Sequence, residues 1–250
     1  MLVIAGLCQL LFIVTVTVVG VRMLLLAHRS HGRHELLMGL GMVLVAAVGT
    51  PAGIVSGFGK TVAEMSLPLW LTSTFATQIG ITLIYAFTWQ VFRPADALGK
   101  AIVAGGIVFM LLGIWIAGRA LSAAAPDASS TLVARNGLFV AMVGYSGCFL
   151  WSAIEGFAQY DRARKRLSLG LADPVVANRF LLWGLFGSAA TVINVASVAA
   201  NAMGLDPTRS VLVLIPLGVC GLAASVTMYL AFLPPAAYLA FVRAQRAQRA

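Results

Sequence analysis

Long apolar segments separated by short polar connections run along almost the whole chain of 250 residues. A membrane-spanning helix needs roughly 20 apolar residues, because it crosses about 30 Å of hydrocarbon at about 1.5 Å per residue. Seven segments meet this length, and clusters of helix-breaking or charged residues separate them. The pattern predicts an all-α, polytopic membrane protein, with residues 1–250 forming a single bundle of seven transmembrane helices. The predicted spans are residues 2–27, 36–58, 68–92, 100–121, 133–160, 178–203 and 209–241.

The composition favours lipid as the surroundings of most of the protein surface. Hydrophobic residues make up 60% of the chain and charged residues only 10%, whereas soluble domains carry about 25% charge. The first apolar segment has no cation before Arg22. A cleaved signal peptide has a basic start and a shorter apolar stretch. We therefore expect this segment to be a retained first helix.

The distribution of positive charge predicts the direction of the helices. Thirteen of the 17 Lys and Arg residues lie at Arg22, in the connections after the first, third and fifth predicted helices, or in the C-terminal tail. The positive-inside rule assigns that side to the cytoplasm. We expect the N-terminus outside, the C-terminus in the cytoplasm, and a multi-pass protein of a bacterial inner membrane. The opposite side holds Lys60, Arg119, Arg135 and Arg209.

The net charge of +9 also bears on partners. Because the cations occupy short connections between apolar segments, they favour anionic lipid headgroups on the cytoplasmic side over nucleic acid. A cytoplasmic or membrane protein partner is an alternative use of the same surface. The sequence makes no prediction of oligomeric state.

One face of the fifth predicted helix carries polar and polarisable side chains. Spacings of three and four residues place Tyr145, Cys148, Ser152, Glu155 and Gln159 on that face. A carboxylate inside an apolar segment is costly, so Glu155 should face the protein interior, a partner or water. Tyr145, Ser152, Glu155 and Gln159 are therefore candidates for a ligand or proton site.

Two interpretations of Glu155 stay open. In the functional one, the carboxylate binds a proton, a cation or a ligand. In the structural one, it forms a buried ion pair or hydrogen bond near the cytoplasmic interface, with Arg22 or Arg179 as the suggested cation. The second follows from the position of Glu155, only a few residues before the basic connection that starts near Arg162.

The third and sixth predicted helices carry similar polar stripes. Hydroxyls and amides in a bilayer usually hydrogen-bond to neighbouring helices, and helix packing is one explanation of these stripes. The other is a polar ligand pocket that three such faces line together from the outer side. The candidate site residues on these helices are Gln78, Tyr85, Asn194 and Asn201, with Thr74, Thr88, Ser188, Thr191 and Ser197 beside them.

Three histidines, His28, His31 and His34, are spaced three residues apart in the first predicted cytoplasmic connection. Such a group is a weak candidate for a transition-metal site. The alternative is an ordinary basic interfacial loop, since Arg29 and Arg33 lie between the histidines. No second histidine cluster exists to complete a two-metal site, and we predict no metal site.

The tetrapeptide Gly144-Tyr145-Ser146-Gly147 is similar to the GxSG pattern around the nucleophile of rhomboid intramembrane proteases. A serine nucleophile needs a base within hydrogen-bond reach. The histidines of this chain all lie in the first predicted connection, so the resemblance lacks the residue that would make it catalytic. We predict close helix packing at these glycines and no enzymatic activity.

Seven helices with this direction also raise the question of covalent retinal, which rhodopsins hold on a lysine of the seventh helix. The lysines of this chain are Lys60, Lys100 and Lys165, all in predicted connections, and residues 211–242 contain none. We predict no retinal and no other cofactor.

These observations favour a noncatalytic receptor-like or sensor-like bundle that binds a small or lipidic ligand and acts through a partner. The first alternative is a small transporter or channel in which Glu155 is the coupling group and prolines interrupt helices at a binding site. The second is an accessory subunit of a larger membrane complex. The polar faces favour the receptor-like function. The first three and the last three predicted helices share no convincing sequence repeat, which weakens the transporter hypothesis.

Overall fold

The computed structural model describes residues 2–58, 60–205 and 211–247. Within that part of the chain, seven helices are long and apolar enough to cross a membrane. This confirms the predicted all-α, seven-helix architecture and identifies a multi-pass membrane protein. With a shorter helix that follows them, they are α1 (Leu2–Ser30), α2 (Arg33–Val55), α3 (Leu67–Phe92), α4 (Ala97–Ser122), α5 (Ser130–Ser168), α6 (Pro174–Ala202), α7 (Val211–Phe232) and α8 (Ala236–Ala247).

Each of the seven spans packs against the next in sequence, and α7 packs against α1 to close the ring. The third helix also contacts α5. One apolar core draws on all seven helices and is filled by large side chains, among them Met42, Tyr85, Met110, Trp151 and Trp183. Helix α3 is therefore held between neighbours on both sides, where it can connect them.

Glycines bring the helix backbones together. Gly113 of α4 faces Gly137 of α5, and Gly156 of α5 faces Gly184 of α6. A Cβ atom added at Gly156 would lie 2.7 Å from the Gly184 nitrogen, closer than atoms can pack. Small residues allow this approach, which supplies the van der Waals contact that drives helix association in lipid.

The fifth and seventh spans differ from their predicted bounds. Helix α5 continues to Ser168, eight residues past the predicted end. Hydropathy marks only its membrane part, whereas Ala, Arg, Lys and Leu continue the helix because they are strong helix formers. The last predicted span, residues 209–241, is divided at Pro234–Pro235, since α7 ends at Phe232 and α8 begins at Ala236. Pro216, in contrast, lies inside a continuous α7.

A π-helical turn, Leu44–Gly49, interrupts the regular hydrogen bonding of α2. It precedes Pro51, which has no N–H to donate. The Val45 carbonyl accepts both the backbone N–H of Thr50 and, at 2.9 Å, the Thr50 hydroxyl. A local π turn thus accommodates the proline without ending the span.

The connections gather at two ends of the bundle. At one end, Val62 N–H donates to the Ala128 carbonyl and Ala63 N–H to the Pro126 carbonyl, both at 2.9 Å. This end, where residues 60–66 meet residues 123–129, is called the loop-paired end. The opposite end, with connections 93–96 and 169–173, is called the basic end, because arginines and lysines cluster there.

Candidate functional site at the basic end

The carboxylate of Glu155 is buried where α5 reaches the basic end. Its residue is 1% exposed. Its Oε1 atom accepts hydrogen bonds from Arg93 Nε at 2.5 Å and from Trp151 Nε1 at 3.2 Å. Its Oε2 atom is buried and has no hydrogen-bond partner in the described part of the chain. The site therefore holds one satisfied and one unsatisfied carboxylate oxygen.

The cation of this pair comes from a connection rather than a helix interior. Arg93 follows Phe92, the last residue of α3, and its side chain is 37% exposed. Its Nη1 atom donates to Asp96 Oδ2 at 2.9 Å. The guanidinium thus lies between a partly exposed carboxylate and a buried one, which lets Glu155 be paired without placing an arginine deep in hydrocarbon.

Asp96 orients this arginine and also starts α4. Its Oδ1 atom accepts from Leu98 N–H at 2.9 Å, the hydrogen bond of a helix N-cap. The hydrogen bond from Arg93 and then that from Leu98 hold the pKa of the Asp96 carboxyl below its usual range. Hydrogen bonds to Asp96 and then to Glu155 raise the pKa of Arg93. At neutral pH the Arg93–Asp96 pair is therefore charged.

The ion pair of Glu155 has a different cation from the suggested ones. The sequence-based alternatives, Arg22 and Arg179, are both exposed, and the partner is Arg93. The prediction of these two partners was wrong because it relied on nearness to the basic end. It did not include the contact of α3 with α5, which brings the end of α3 to Glu155.

The polar face of α5 is buried at its centre. Cys148, Ser152 and Glu155 are buried, while Tyr145 and Gln159 are half-buried. The Ser152 hydroxyl lies 3.1 Å from the hydroxyl of Thr88 on α3. This face is therefore turned toward α3.

Polar side chains of α3 meet α4 and α5 at several depths. Gln78 Nε2 donates to the Met110 carbonyl of α4 at 2.6 Å, and its side chain also hydrogen-bonds Tyr145. The Tyr85 hydroxyl donates to the Gly144 carbonyl of α5 at 2.7 Å. We call the contacts that Gln78, Tyr85, Thr88 and Arg93 make with α4 and α5 the polar ladder. It runs from the bundle interior to the basic end.

The polar stripe of α6 is bonded differently. Asn194 Nδ2 donates to the Ala190 carbonyl of the same helix at 2.8 Å. The hydroxyls of Ser188, Thr191 and Ser197 donate to carbonyls four residues earlier. Such local bonds satisfy polar groups without linking helices. The side chain of Asn201, another candidate from the sequence, lies outside the described residues.

The GxSG tetrapeptide serves packing between helices. The Gly144 carbonyl accepts the Tyr85 hydroxyl, and a Cβ atom at Gly147 would lie 2.7 Å from that hydroxyl oxygen. The Ser146 hydroxyl is buried, with no hydrogen-bond partner among the described residues.

The three histidines lie around the turn between α1 and α2. His28 belongs to the last turn of α1, and His31 has a positive φ of 52°. Within the described ranges, no group of three or more His, Cys, Asp or Glu side chains is placed to hold a metal ion.

Sequence reasoning missed three residues of the site at the basic end: Arg93, Asp96 and Trp151. Trp151 lies one helical turn before Glu155, so the spacing of four was an available signal. Arg93 and Asp96 appeared only as connection charges, and their role depends on the packing of α3 against α5. Comparison with known proteins finds no matching family model, no matching curated protein and no matching solved structure.

Proposed function

We propose that this chain is a noncatalytic, receptor-like or sensor-like bundle that responds to a small or lipidic ligand and acts through a partner. In this proposal the protein lies in a bacterial inner membrane, with the basic end on the cytoplasmic side and the loop-paired end on the outer side. The observation that carries the proposal is the polar ladder, which ends at the Arg93–Glu155 pair.

The polar ladder favours a small number of discrete positions of α3. Interhelical hydrogen bonds in membrane proteins are worth about 0.6–2 kcal/mol each. From Gln78 to Arg93 the ladder covers about 22 Å of helix axis at about 1.5 Å per residue. A shift of α3 by part of a turn would break several of these contacts together, so intermediate positions are unfavourable. This is the kind of bistable element that transmits a change between two sites.

The loop-paired end gives α3 a connection to the outer side. Ser66 N–H, directly before α3, donates to the Ser56 carbonyl at 2.7 Å. The same connection bonds through Val62 and Ala63 to residues 123–129. A ligand that moves these paired connections would therefore pull on the first turn of α3.

A substitution in the middle of the ladder tests the coupling. We expect Tyr85→Phe to raise the maleimide labelling rate of a cysteine placed at Leu98, in the first turn of α4, by about fivefold in lipid nanodiscs. That factor corresponds to about 1 kcal/mol. The hydroxyl is lost in the membrane interior, whereas the readout lies beside Arg93 and Asp96. The background lacks Cys8, Cys148 and Cys220.

Thr191→Val is the matched control, because its hydroxyl bonds only the Gly187 carbonyl of its own helix among the contacts described. It should leave the labelling rate at position 98 unchanged. Equal rates in Tyr85→Phe and the parent protein would contradict the proposed transmission through α3. A static bundle of that kind would favour the accessory-subunit alternative.

One observation favours a second candidate, a small transporter with Glu155 as its coupling group. The buried Oε2 atom has no hydrogen-bond partner in the described part of the chain, and such an oxygen can take up a proton or bind a cation. Proteoliposomes that hold a pH-sensitive dye test this function. A proton flux that is lost in Glu155→Gln would support the transporter and contradict the receptor proposal. A flux equal to that of empty liposomes would contradict the transporter.

A further inference from the structure

Helices α5 and α6 continue well past the Arg93–Glu155 pair. Residues 156–168 of α5 extend about 20 Å beyond Glu155 at about 1.5 Å per residue. Because Gly156 meets Gly184, residues 174–183 of α6 run alongside this extension. We call residues 156–183 together with α8 the projection.

Helix α8 lies against the rest of the projection at two points. Asn178 Nδ2 of α6 donates to the Tyr238 hydroxyl of α8 at 2.8 Å. Farther along, Arg243 of α8 shares an open cleft of about 560 Å³ with the α5–α6 turn. Helix α8 therefore lies along α6 and packs against it. The cleft is lined by Gly170, Leu171, Ala172, Asp173, Pro174 and Arg243.

Large apolar side chains are exposed on this projection. Leu169 is 72% exposed, Leu171 is 74% exposed and Phe241 is 57% exposed. The turn between α5 and α6, residues 169–173, is the tip of the projection. It has a defined shape, because Gly170 adopts a φ of 76° and Leu171 N–H donates to the Arg166 carbonyl at 2.9 Å. These features are those of a helix C-cap, which fixes where the two leucines point.

Lipid tails are too far away to cover the tip. Arg93 follows the last residue of α3, a helix of 26 residues or about 39 Å, which is enough for the hydrocarbon and part of both interfaces. The Arg93–Glu155 pair therefore marks the inner edge of the membrane. Leu171, about 20 Å farther along the helix axis, is beyond the hydrocarbon. Leu169 and Leu171 are exposed two positions apart at the same turn, and apolar side chains that are exposed together in water favour contact with a protein surface.

The charge around the tip selects the kind of surface. Among the side chains of the projection that the structure describes, six cations are exposed, against the two exposed carboxylates of Asp161 and Asp173. A basic rim beside apolar side chains is complementary to an acidic rim around an apolar patch. The exposed cations are Arg162, Arg164, Lys165, Arg166, Arg179 and Arg243.

We infer that the projection is the docking surface for a soluble cytoplasmic protein that presents carboxylates around an apolar patch. The partner covers Leu169 and Leu171 and places a carboxylate against Arg243 at the cleft. The inference rests on the proposed function in one respect, since it names the class of partner through which the bundle acts.

The first arm of the test measures depth. A spin label at Leu171, in nanodiscs that contain anionic lipid, should collide with a water-soluble nickel chelate more than with oxygen. A label at Leu150, which is exposed on the membrane part of α5, should show the opposite preference. A label at Leu171 that is shielded from the chelate would overturn the inference in favour of a lipid surface.

The second arm uses the full chain in its native host. A photoreactive phenylalanine at position 171 should form an adduct with an acidic soluble protein, and one at position 150 should not. In isolated membranes, 0.5 M salt should reduce the yield at least fivefold, because exposed charge pairs are screened. Replacing Arg162, Arg164, Lys165 and Arg166 with glutamine should reduce it similarly, with membrane insertion verified in parallel.

No adduct, an adduct with lipid, an adduct with a second copy of the chain, or a yield independent of salt and charge would each overturn the inference. The two proposals can fail separately. Docking with no effect of Tyr85→Phe would leave an anchoring subunit, whereas coupling through α3 without docking would leave a receptor that uses another surface.

Discussion

Replacing Arg93 with glutamine should lower the free energy of unfolding more than replacing Glu155 with glutamine. Arg93→Gln leaves the Glu155 carboxylate buried with Trp151 as its remaining described donor. Breaking a fully buried ion pair costs about 3–5 kcal/mol. Because the Arg93 side chain is 37% exposed, water moderates the loss, and we expect about 1–3 kcal/mol.

Glu155→Gln keeps the shape of the side chain and removes its charge. The amide oxygen of glutamine can still accept from Trp151, and Arg93 keeps its pair with Asp96. We therefore expect a smaller loss, about 1 kcal/mol or less.

The double variant, Arg93→Gln with Glu155→Gln, should be about as stable as Glu155→Gln alone. The coupling between the two side chains then equals the loss in Arg93→Gln, about 1–3 kcal/mol. The measurement is reversible unfolding by titration with SDS. A strictly additive cycle would show that the two side chains do not interact. It would contradict the Arg93–Glu155 contact at the end of the polar ladder.

Replacing Gly113 with alanine should disrupt the contact of α4 with α5. The new Cβ atom would lie 2.5 Å from the Ala141 nitrogen and 2.6 Å from the Gly137 carbonyl oxygen. Both are backbone atoms, so the helices must move apart. We expect a loss of about 2–3 kcal/mol, at the upper end of the usual overpacking range. SDS titration again measures the change.

Gly105→Ala in the same helix is the matched control. A Cβ atom there meets no heavy atom within 4 Å. Since alanine favours the helix over glycine by about 1 kcal/mol in soluble hosts, this variant should be neutral or slightly stabilised. Equal losses at positions 105 and 113 would contradict the packing of α4 against α5.

The number of helices and the inward face of α5 were predictable because they depend on local periodicity. Hydropathy over a window finds a span, and spacings of three and four residues place Ser152 and Glu155 on one face. Both inferences need only the geometry of a single helix. The same holds for the break at Pro234–Pro235, where proline chemistry acts on its own turn.

The partner of Glu155 was not predictable in this way. Arg93 and Glu155 are 62 positions apart in sequence, and their contact follows from how α3 packs against α5. The charge count treated Arg93 as one cation among thirteen. Likewise, Gly113 and Gly105 look alike among 25 glycines, and only helix packing shows that one of them faces a neighbouring backbone.

The length of α5 was missed for a different reason. The predicted span ended before the charges from Arg162 to Arg166, because hydropathy detects apolar segments and does not detect a helix that continues into water. The helix continues to a defined cap at Gly170. The projection, and with it the inferred docking surface, thus lies in the part of α5 that a membrane-based reading leaves out.

We propose a seven-span bundle whose basic end faces the cytoplasm, and the two ends of α5 allow this orientation to be measured directly. Asp127 and Asp173 are exposed in the connections on either side of this helix. In a background without Cys8, Cys148 and Cys220, each is replaced by cysteine and treated with a membrane-impermeant maleimide. We expect labelling of Asp127→Cys from outside intact cells, and labelling of Asp173→Cys only after the membrane is permeabilised. Labelling of both positions from one side, or the reverse order, would contradict it.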